Sequence, residues 1–583
     1  MKATALLLAC LALPLVAAAQ DSGPDFGQPL GAVGRPRRMQ TVTDDDFLPL
    51  PDRWRIGFPR WQRYESTPGE HPFVEGRWYD PYNQNLLKGD YPVLGQDIFF
   101  AFTGVSDTLF EASRIPKPSG IPAAEADRDD FFGQSEILIF NQNFVTSFEF
   151  FKGQSAFKPR DWEIRFTPVF NINYVDAGEE NVLEIDPREG TTRFDGWVGI
   201  QEALVEYHLG DLNDYYDFVS TRLGVQGFTS DFRGFIFSDN QPGARLFGNW
   251  GANQWQFNLA YFRPLEKDTN SGLNRLDSFE SFEDRQQQVA VANLYRQDTF
   301  WYGYTTQFSF HYNADHADET HFDANGFLVR PAVVGSVIPD GSVRFHDVDA
   351  YYAGWAGEGH IGWLNVSHAF YWVVGEDDFN PIAGRQTDVS AQLGALELSF
   401  DRDWVRPRVS LLWASGDDDP LDDEATGFDT IVDNSAFAGG GFSYFNRQGL
   451  PLTGAPVALD QRFSLLPSLR SSKFEGQPNF VNPGIIVSNV GFDFELTPKL
   501  RAVVNVNYLR FAETDTLELV LEQADIDPNV GIDYSIGIQY RPLLIDNVIL
   551  VASAAALTPF EGLREILRDQ TLFSTFVAVT LTF

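Results

Sequence analysis

The chain has 583 residues, a formal net charge of −38, 15% aromatic side chains and one cysteine, yet its mean hydropathy is −0.22. Such acidity excludes nucleic acid as a partner, because phosphate backbones are bound by basic faces. Beyond residue 19 no run reaches about eighteen consecutive apolar residues, which excludes membrane-spanning helices.

Met1 and Lys2 precede an apolar run from Ala3 to Val16 that leads into Ala17-Ala18-Ala19. A charged start, a short apolar core and small residues before a cleavage point predict a secretory signal over 1–19, with the mature chain beginning near Gln20. Cys10 sits inside that apolar core, with apolar residues after it, and reads as signal rather than as a lipid-attachment box. The mature chain then carries no cysteine, and with it no disulfide, no thiolate metal site and no covalent haem. Cysteine avoidance suits a protein that crosses the periplasm unfolded.

Residues 20–95 do not alternate and are rich in Pro, Trp, Arg and Tyr, as in Asp52-Arg53-Trp54-Arg55-Ile56-Gly57-Phe58-Pro59-Arg60-Trp61. The segment is too short for the plug of a TonB-dependent transporter, and its aromatic density argues against a fully disordered tail. It is expected either to extend into the periplasm or to pack into the barrel mouth as a plug.

From about residue 96 to 583 the pattern has a period of two, the side-chain period of a strand. In 161–175, Trp162, Ile164, Phe166, Pro168, Phe170, Ile172 and Tyr174 oppose Glu163, Arg165, Thr167, Asn171 and Asn173. That predicts a lipid-facing apolar row ending in aromatics, and a polar row turned inward. Segments 254–262, 304–313, 486–496 and 532–540 repeat it, and place Asp493, Glu495 and Asp533 on the inner face. Segments 197–209 and 388–400 have no clear phase. Short turns near 154–160, 210–216, 250–254, 299–303, 358–361, 401–406, 497–500 and 541–547 alternate with longer stretches, among them 229–243, 264–285, 315–342 and 418–484. Short periplasmic turns facing long extracellular loops are the asymmetry of a transmembrane antiparallel β-barrel of the outer membrane. Eighteen strands fit, with sixteen as the alternative, and the acidic loop 418–484 is expected outside the cell.

Two stretches carry candidate site residues. In the first, Arg222, Gly224 and Gln226 share a strand face, and Asp231-Phe232-Arg233-Gly234-Phe235 and Pro242-Gly243-Ala244-Arg245 follow. If that face lines the lumen, Arg222, Gln226, Arg233 and Arg245 meet near one constriction, where guanidinium forks would select anions. The alternative is that these arginines pair with luminal acids such as Glu163, Asp231 and Asp239. In the second, Trp413-Ala414-Ser415-Gly416-Asp417-Asp418-Asp419-Pro420 runs into Gly427-Phe428-Asp429. Together they resemble alginate-export-type outer-membrane proteins, in which a Gly-Arg-Gln-like strand runs into an Arg-bearing segment, and a late strand leaves through a Ser-Gly-Asp turn into a loop with a Phe-Asp pair. The chain departs from that family in its length, its N-terminal segment and an Arg that precedes the Gly by two positions. The resemblance implies a porin-like or exporter-like channel.

Asp417, Asp419, Asp422 and Asp423 offer oxygen ligands for Ca²⁺, although Leu421 breaks the EF-hand spacing. The loop from Asp315 to Asp323 holds His316 and His321 and could take a transition metal, without the helical H-E-x-x-H arrangement. At the C-terminus, Phe573, Thr575, Val577, Val579, Leu581 and Phe583 share one face, and Phe583 resembles the terminal assembly signal of outer-membrane barrels. The expected partners are therefore outer-membrane lipid and lipopolysaccharide, the barrel-assembly machinery and a small-molecule or oligosaccharide solute. Pore-lining candidates are Glu163, Arg165, Arg222, Gln226, Arg233, Arg245, Asp493, Glu495 and Asp533. No cofactor is required. No G-x-S-x-G motif occurs, which disfavours an enzyme. A channel for small anionic or oligosaccharide solutes and a sleeve for a periplasmic partner such as an electron carrier both remain open.

Overall fold

A computed structural model describes residues 78–79, 85–95, 97–115, 135–153, 159–214, 217–278, 281–282, 285–317, 319–331, 344–450, 452, 463–467, 469–567 and 569–583. The signal segment, the Trp- and Arg-rich stretch near 52–61 and the loop at 116–134 lie outside these residues. Eighteen long strands run in chain order: β1 (Ile98–Arg114), β2 (Glu136–Lys152), β3 (Trp162–Asp176), β4 (Thr192–Asp211), β5 (Phe218–Thr229), β6 (Ser238–Trp250), β7 (Trp255–Phe262), β8 (Gln287–Arg296) and β9 (Tyr304–His316). They continue as β10 (Asp347–Ile361), β11 (Leu364–Asn380), β12 (Arg385–Phe400), β13 (Val405–Ala414), β14 (Ile485–Thr497), β15 (Leu500–Arg510), β16 (Asn529–Tyr540), β17 (Val548–Pro559) and β18 (Leu572–Thr582). Each pairs antiparallel with its chain neighbour, and β1 closes on β18 from Val105↔Thr582 to Ser113↔Ser574. Closure leaves no long open edge, the condition for spanning a bilayer with strands.

The wall has the expected polarity. On β3, Ile164 is 48% exposed and Phe170 44%, whereas Glu163 and Arg165 are 4% and Asn173 is 0%. Apolar side chains therefore face the bilayer and polar ones the lumen. No helix among the described residues is long and apolar enough to cross a membrane. Trp301, Tyr302, Trp363 and Trp404 lie exposed at the short turns and form an aromatic girdle at that end.

The two segments of unclear phase have separate physical causes. A register shift between Thr167 and Pro168 of β3 sets Glu202 and Ile200 opposite them on β4. This bulge inverts the phase: Phe194 and Val198 face lipid before it, and Val205, Tyr207 and Leu209 after it. On β12 the polarity reverses along the strand: at the short-turn end Glu397 and Ser399 point inward against Leu396, Leu398 and Phe400, whereas at the outer end Asp388, Ser390 and Gln392 point outward and the inward, buried residues are Val389, Ala391 and Leu393. Their cover is the long loop after β13. Between β5 and β6 the connection spans 230–237, shorter than the expected 229–243, because Pro242 and Gly243 belong to β6.

The described tail of the N-terminal segment adds to the barrel. The strand Lys88–Leu94 pairs antiparallel with β1 (Lys88↔Ala101, Leu94↔Ile98), on the part of β1 that β18 does not reach. Phe583 N donates to Gly104 O at 2.8 Å, and the Lys88 ammonium lies 4.3 Å above the Phe583 ring. Replacing Phe583 with Ala removes that contact at the seam, where a cation–π pair contributes about 0.5–1 kcal/mol. The heat-modifiable gel shift of the purified protein should then occur at a lower temperature than in wild type. An unchanged conversion temperature would show that the seam does not depend on this ring.

Candidate functional site

The sequence places the loop 418–484 outside the cell, and only its first part stays at the rim. From about Ala425 it turns into the lumen, where Phe428, Ile431, Phe437, Tyr444, Phe445, Phe480 and Val481 pack in one core with the inward residues Val291, Tyr352, Val373 and Leu393. An eighteen-stranded wall is too wide for its own side chains to fill, so an apolar loop that enters finds apolar wall to bury. The loop forms an internal plug.

Polar contacts anchor the plug around the circumference. Helix α1 (Tyr444–Gln448) begins at Ser443, and Asp533 of β16 accepts from the Ser443 hydroxyl, from Tyr444 N at 3.2 Å and from Asn507 Nδ2 at 3.0 Å. A carboxylate at a helix start satisfies N–H groups that the helix itself leaves open. Arg447, fully buried, binds Glu111 of β1 at 2.6 Å and stacks 3.8 Å above Phe576, and Gln448 donates to the same carboxylate at 2.6 Å. On the other side Gln477 donates to Asp315 O and His346 O, and within the plug Arg470 pairs with Asp429 at 3.3 Å.

The short loop 230–237 also folds inward and pairs with the plug. Asn434 N donates to Gly234 O at 2.9 Å, Ala436 N to Arg233 O at 3.0 Å, and Phe237 bridges Val432 in parallel. The Asp231 carboxylate accepts from the N–H groups of Arg233, Gly234, Phe235 and Ile236, so it holds this turn rather than pairing with an arginine. Gly234 has φ +74°, and a Cβ there would lie 2.6 Å from Asn434 O. The two loops make a crosspiece through the lumen.

Arg233 projects from the crosspiece to the far wall. It donates to Ser367 Oγ at 3.0 Å and pairs with Glu397 at 3.1 Å and Glu358 at 3.7 Å. Arg222 faces inward beside Arg245 in register, pairs with Glu206 at 2.6 Å, and Arg245 donates to Asn258 Oδ1 at 2.8 Å while lying 4.6 Å from the Phe247 ring. Gln226 is fully buried and donates to Gly243 O at 3.2 Å. Glu163 and Arg165 join a network in which Arg165 meets Glu163 at 2.7 Å, Glu202 at 3.2 Å and Glu149 at 3.4 Å. Asp493 binds Arg501 at 2.9 Å and Arg408 at 3.5 Å, whereas Glu495 lies more exposed near the short-turn end. The expected cationic constriction is thus a belt of guanidinium–carboxylate pairs. Of the acids expected to pair, Asp231 holds its own turn and Asp239 is taken by Lys267 at 2.7 Å, while Glu163 lies within electrostatic reach of Arg222.

Sequence reading missed Glu111, Glu206, Glu358, Glu397 and Arg447. Alternation could have placed the four acids on inner faces, but Glu111 and Arg447 stand 336 positions apart and no spacing links them. Neither metal expectation is met by the geometry. Asp417 and Asp422 accept backbone N–H groups within their own turns, and the acids 417–423 do not converge as a metal-binding group. Burial pushes the Asp417 carboxyl up to about 7. His316 faces Asp349 at 3.1 Å, while His321 lies near Glu266 at 3.7 Å, so the two histidines serve different neighbours.

No family model matches the chain, and no curated protein does. Among solved structures it is similar to Acinetobacter baumannii OccAB1, with 8% identity, coverage of 86% of this chain and 99% of that one, and a TM-score of 0.48. It is also similar to Pseudomonas aeruginosa OpdQ (11%, 84% and 99%, 0.45) and to Pseudomonas aeruginosa OpdK with vanillate (9%, 83% and 98%, 0.42). The architecture of this chain rests on its own strand pairing.

The Arg447–Glu111 pair offers a direct handle on the plug. Removing one partner of a buried pair costs about 3–5 kcal/mol, whereas replacing both with apolar groups is often neutral. Arg447→Met should therefore lower the urea midpoint clearly, and Glu111→Leu with Arg447→Met should recover most of the loss. Equal loss in the single and double variants would mean that packing, not charge pairing, anchors α1.

Proposed function

We propose that this protein is an outer-membrane channel of the porin type that passes small polar solutes, saccharide-like ones ahead of simple anions. The observation that carries this reading is the belt below the crosspiece, where guanidinium donors alternate with carboxylate and amide acceptors. Hydroxyl groups both donate and accept, and so suit a surface that offers both. A simple anion would meet as many carboxylates as guanidinium groups, which weakens a charge-selective filter. The alginate-export resemblance favours a saccharide too, although it rests on two short stretches. The sleeve reading is disfavoured by the plug, because the upper lumen that would hold a partner is filled by the chain's own residues.

Planar-bilayer recording tests the proposal. Wild type should conduct weakly, and a variant with 426–481 replaced by a short Gly-Ser linker should conduct several-fold more, with little ion selectivity in either. Absence of conductance from both properly folded proteins would overturn the channel reading.

A further inference from the structure

At the long-loop end of the barrel, just outside the plug, lies a cluster that transport does not explain. His346 stands immediately before β10, and Asp377 and Asp378 lie near the end of β11, the neighbouring strand. One ligand atom from each of the three lies within 4.8 Å of the other two. Among the described residues no other trio of histidine, cysteine or acidic side chains meets that condition.

An ion pair accounts for part of this. His346 Nδ1 lies 2.8 Å from Asp377 Oδ1, and both side chains are 2% exposed. Asp377 also accepts from Phe379 N and Asn380 Nδ2, and Asp378 Oδ1 accepts from Asp347 N. The pair leaves the second carboxylate unexplained. His346 Nδ1, the nitrogen that faces Asp377, is the one an ion shared with the Asp377 carboxylate would meet. Asp378 adds a second carboxylate beside an already paired imidazole, with Asp315 and Asp347 close by. Arg285 pairs with Asp315 at 3.2 Å, and Arg344 stacks 3.5 Å above Phe379, so the carboxylates to be balanced are Asp347, Asp377 and Asp378. The surplus of negative charge favours a bound cation.

We propose that His346, Asp377 and Asp378 bind a divalent transition-metal ion of the Zn²⁺ type. One imidazole nitrogen with two carboxylate oxygens is a borderline donor set, whereas Ca²⁺ takes six to eight oxygens and gains little from an imidazole. Metal bonds of about 2.0–2.2 Å to such atoms need a modest contraction of the three side chains. Asp378 is the exposed member and gives the ion its access route. The site also touches the plug: Gln477 donates to His346 O at 3.0 Å, and Asn380 donates to Asn479 Oδ1 at 3.0 Å. A bound ion fixes the outer ends of β10 and β11 at the point where the plug is attached. The inference does not depend on the transport reading.

The test uses the full chain purified in detergent and equilibrated with ZnCl₂ or CaCl₂, then desalted, with retained metal measured by mass spectrometry. Wild type should retain about one zinc per chain and show a higher conversion temperature in the heat-modifiable gel shift when zinc is present. His346→Ala and Asp378→Asn should lose both effects. Asp378→Asn keeps an oxygen for Asp347 N, so its zinc-free gel shift should match wild type and report an intact fold. Zinc retention by either variant equal to wild type, no zinc retained by wild type, or calcium retained in preference to zinc would each overturn the proposal.

Discussion

The interior of a wide barrel has to be filled or wetted, and that constraint organises this protein. Eighteen strands enclose more space than inward side chains can occupy. The connection between β13 and β14 supplies the missing volume, and its buried aromatics meet apolar inner-wall residues such as Tyr352, Val373 and Leu393. Charge follows the same division. Buried ions such as Arg447 and Glu111 sit where a partner is fixed on the opposite element, because an uncompensated charge there would be costly.

The wall was legible from the sequence because lipid on one side and polar lumen on the other impose strict alternation on β3, β7, β14 and β16. Loop lengths gave the orientation of the strands. What the sequence hid was the plug. Its composition matches an acidic surface loop only over 417–424; beyond that its apolar content was a signal, and so was its counterpart on the wall. On β12 the inward row is apolar at Val389, Ala391 and Leu393 and polar at Glu397 and Ser399, a reversal that a uniformly polar lumen does not produce. A strand whose apolar row changes faces next to a long connection marks the place where that connection packs. The bulge in β4 erased the phase for a different reason, a local inversion that no periodicity survives.

The candidate site was legible by residue type but not by arrangement. Arg222 and Arg245 stand side by side in register on β5 and β6, whereas Arg233 reaches from the infolded loop to β10, β11 and β12. Their carboxylate partners come from β4, β10 and β12, strands too distant in sequence for any motif to join them. The belt therefore reads as charged in sequence and as nearly compensated in space. That compensation replaces the expected cationic ring with a surface that both donates and accepts hydrogen bonds.

All of this depends on the long loop lying inside the barrel in the membrane. The most direct measurement is oxidative cross-linking of Ser443→Cys with Asp533→Cys in intact cells, since the mature chain is expected to have no competing thiol. The two side chains are hydrogen-bonded across the plug–wall boundary. A disulfide formed in high yield, with little labelling of either thiol by an impermeant maleimide beforehand, is the predicted result. Ready labelling of the cysteine at 443 from outside the cell, with no cross-link, would place the loop in the medium and contradict the account.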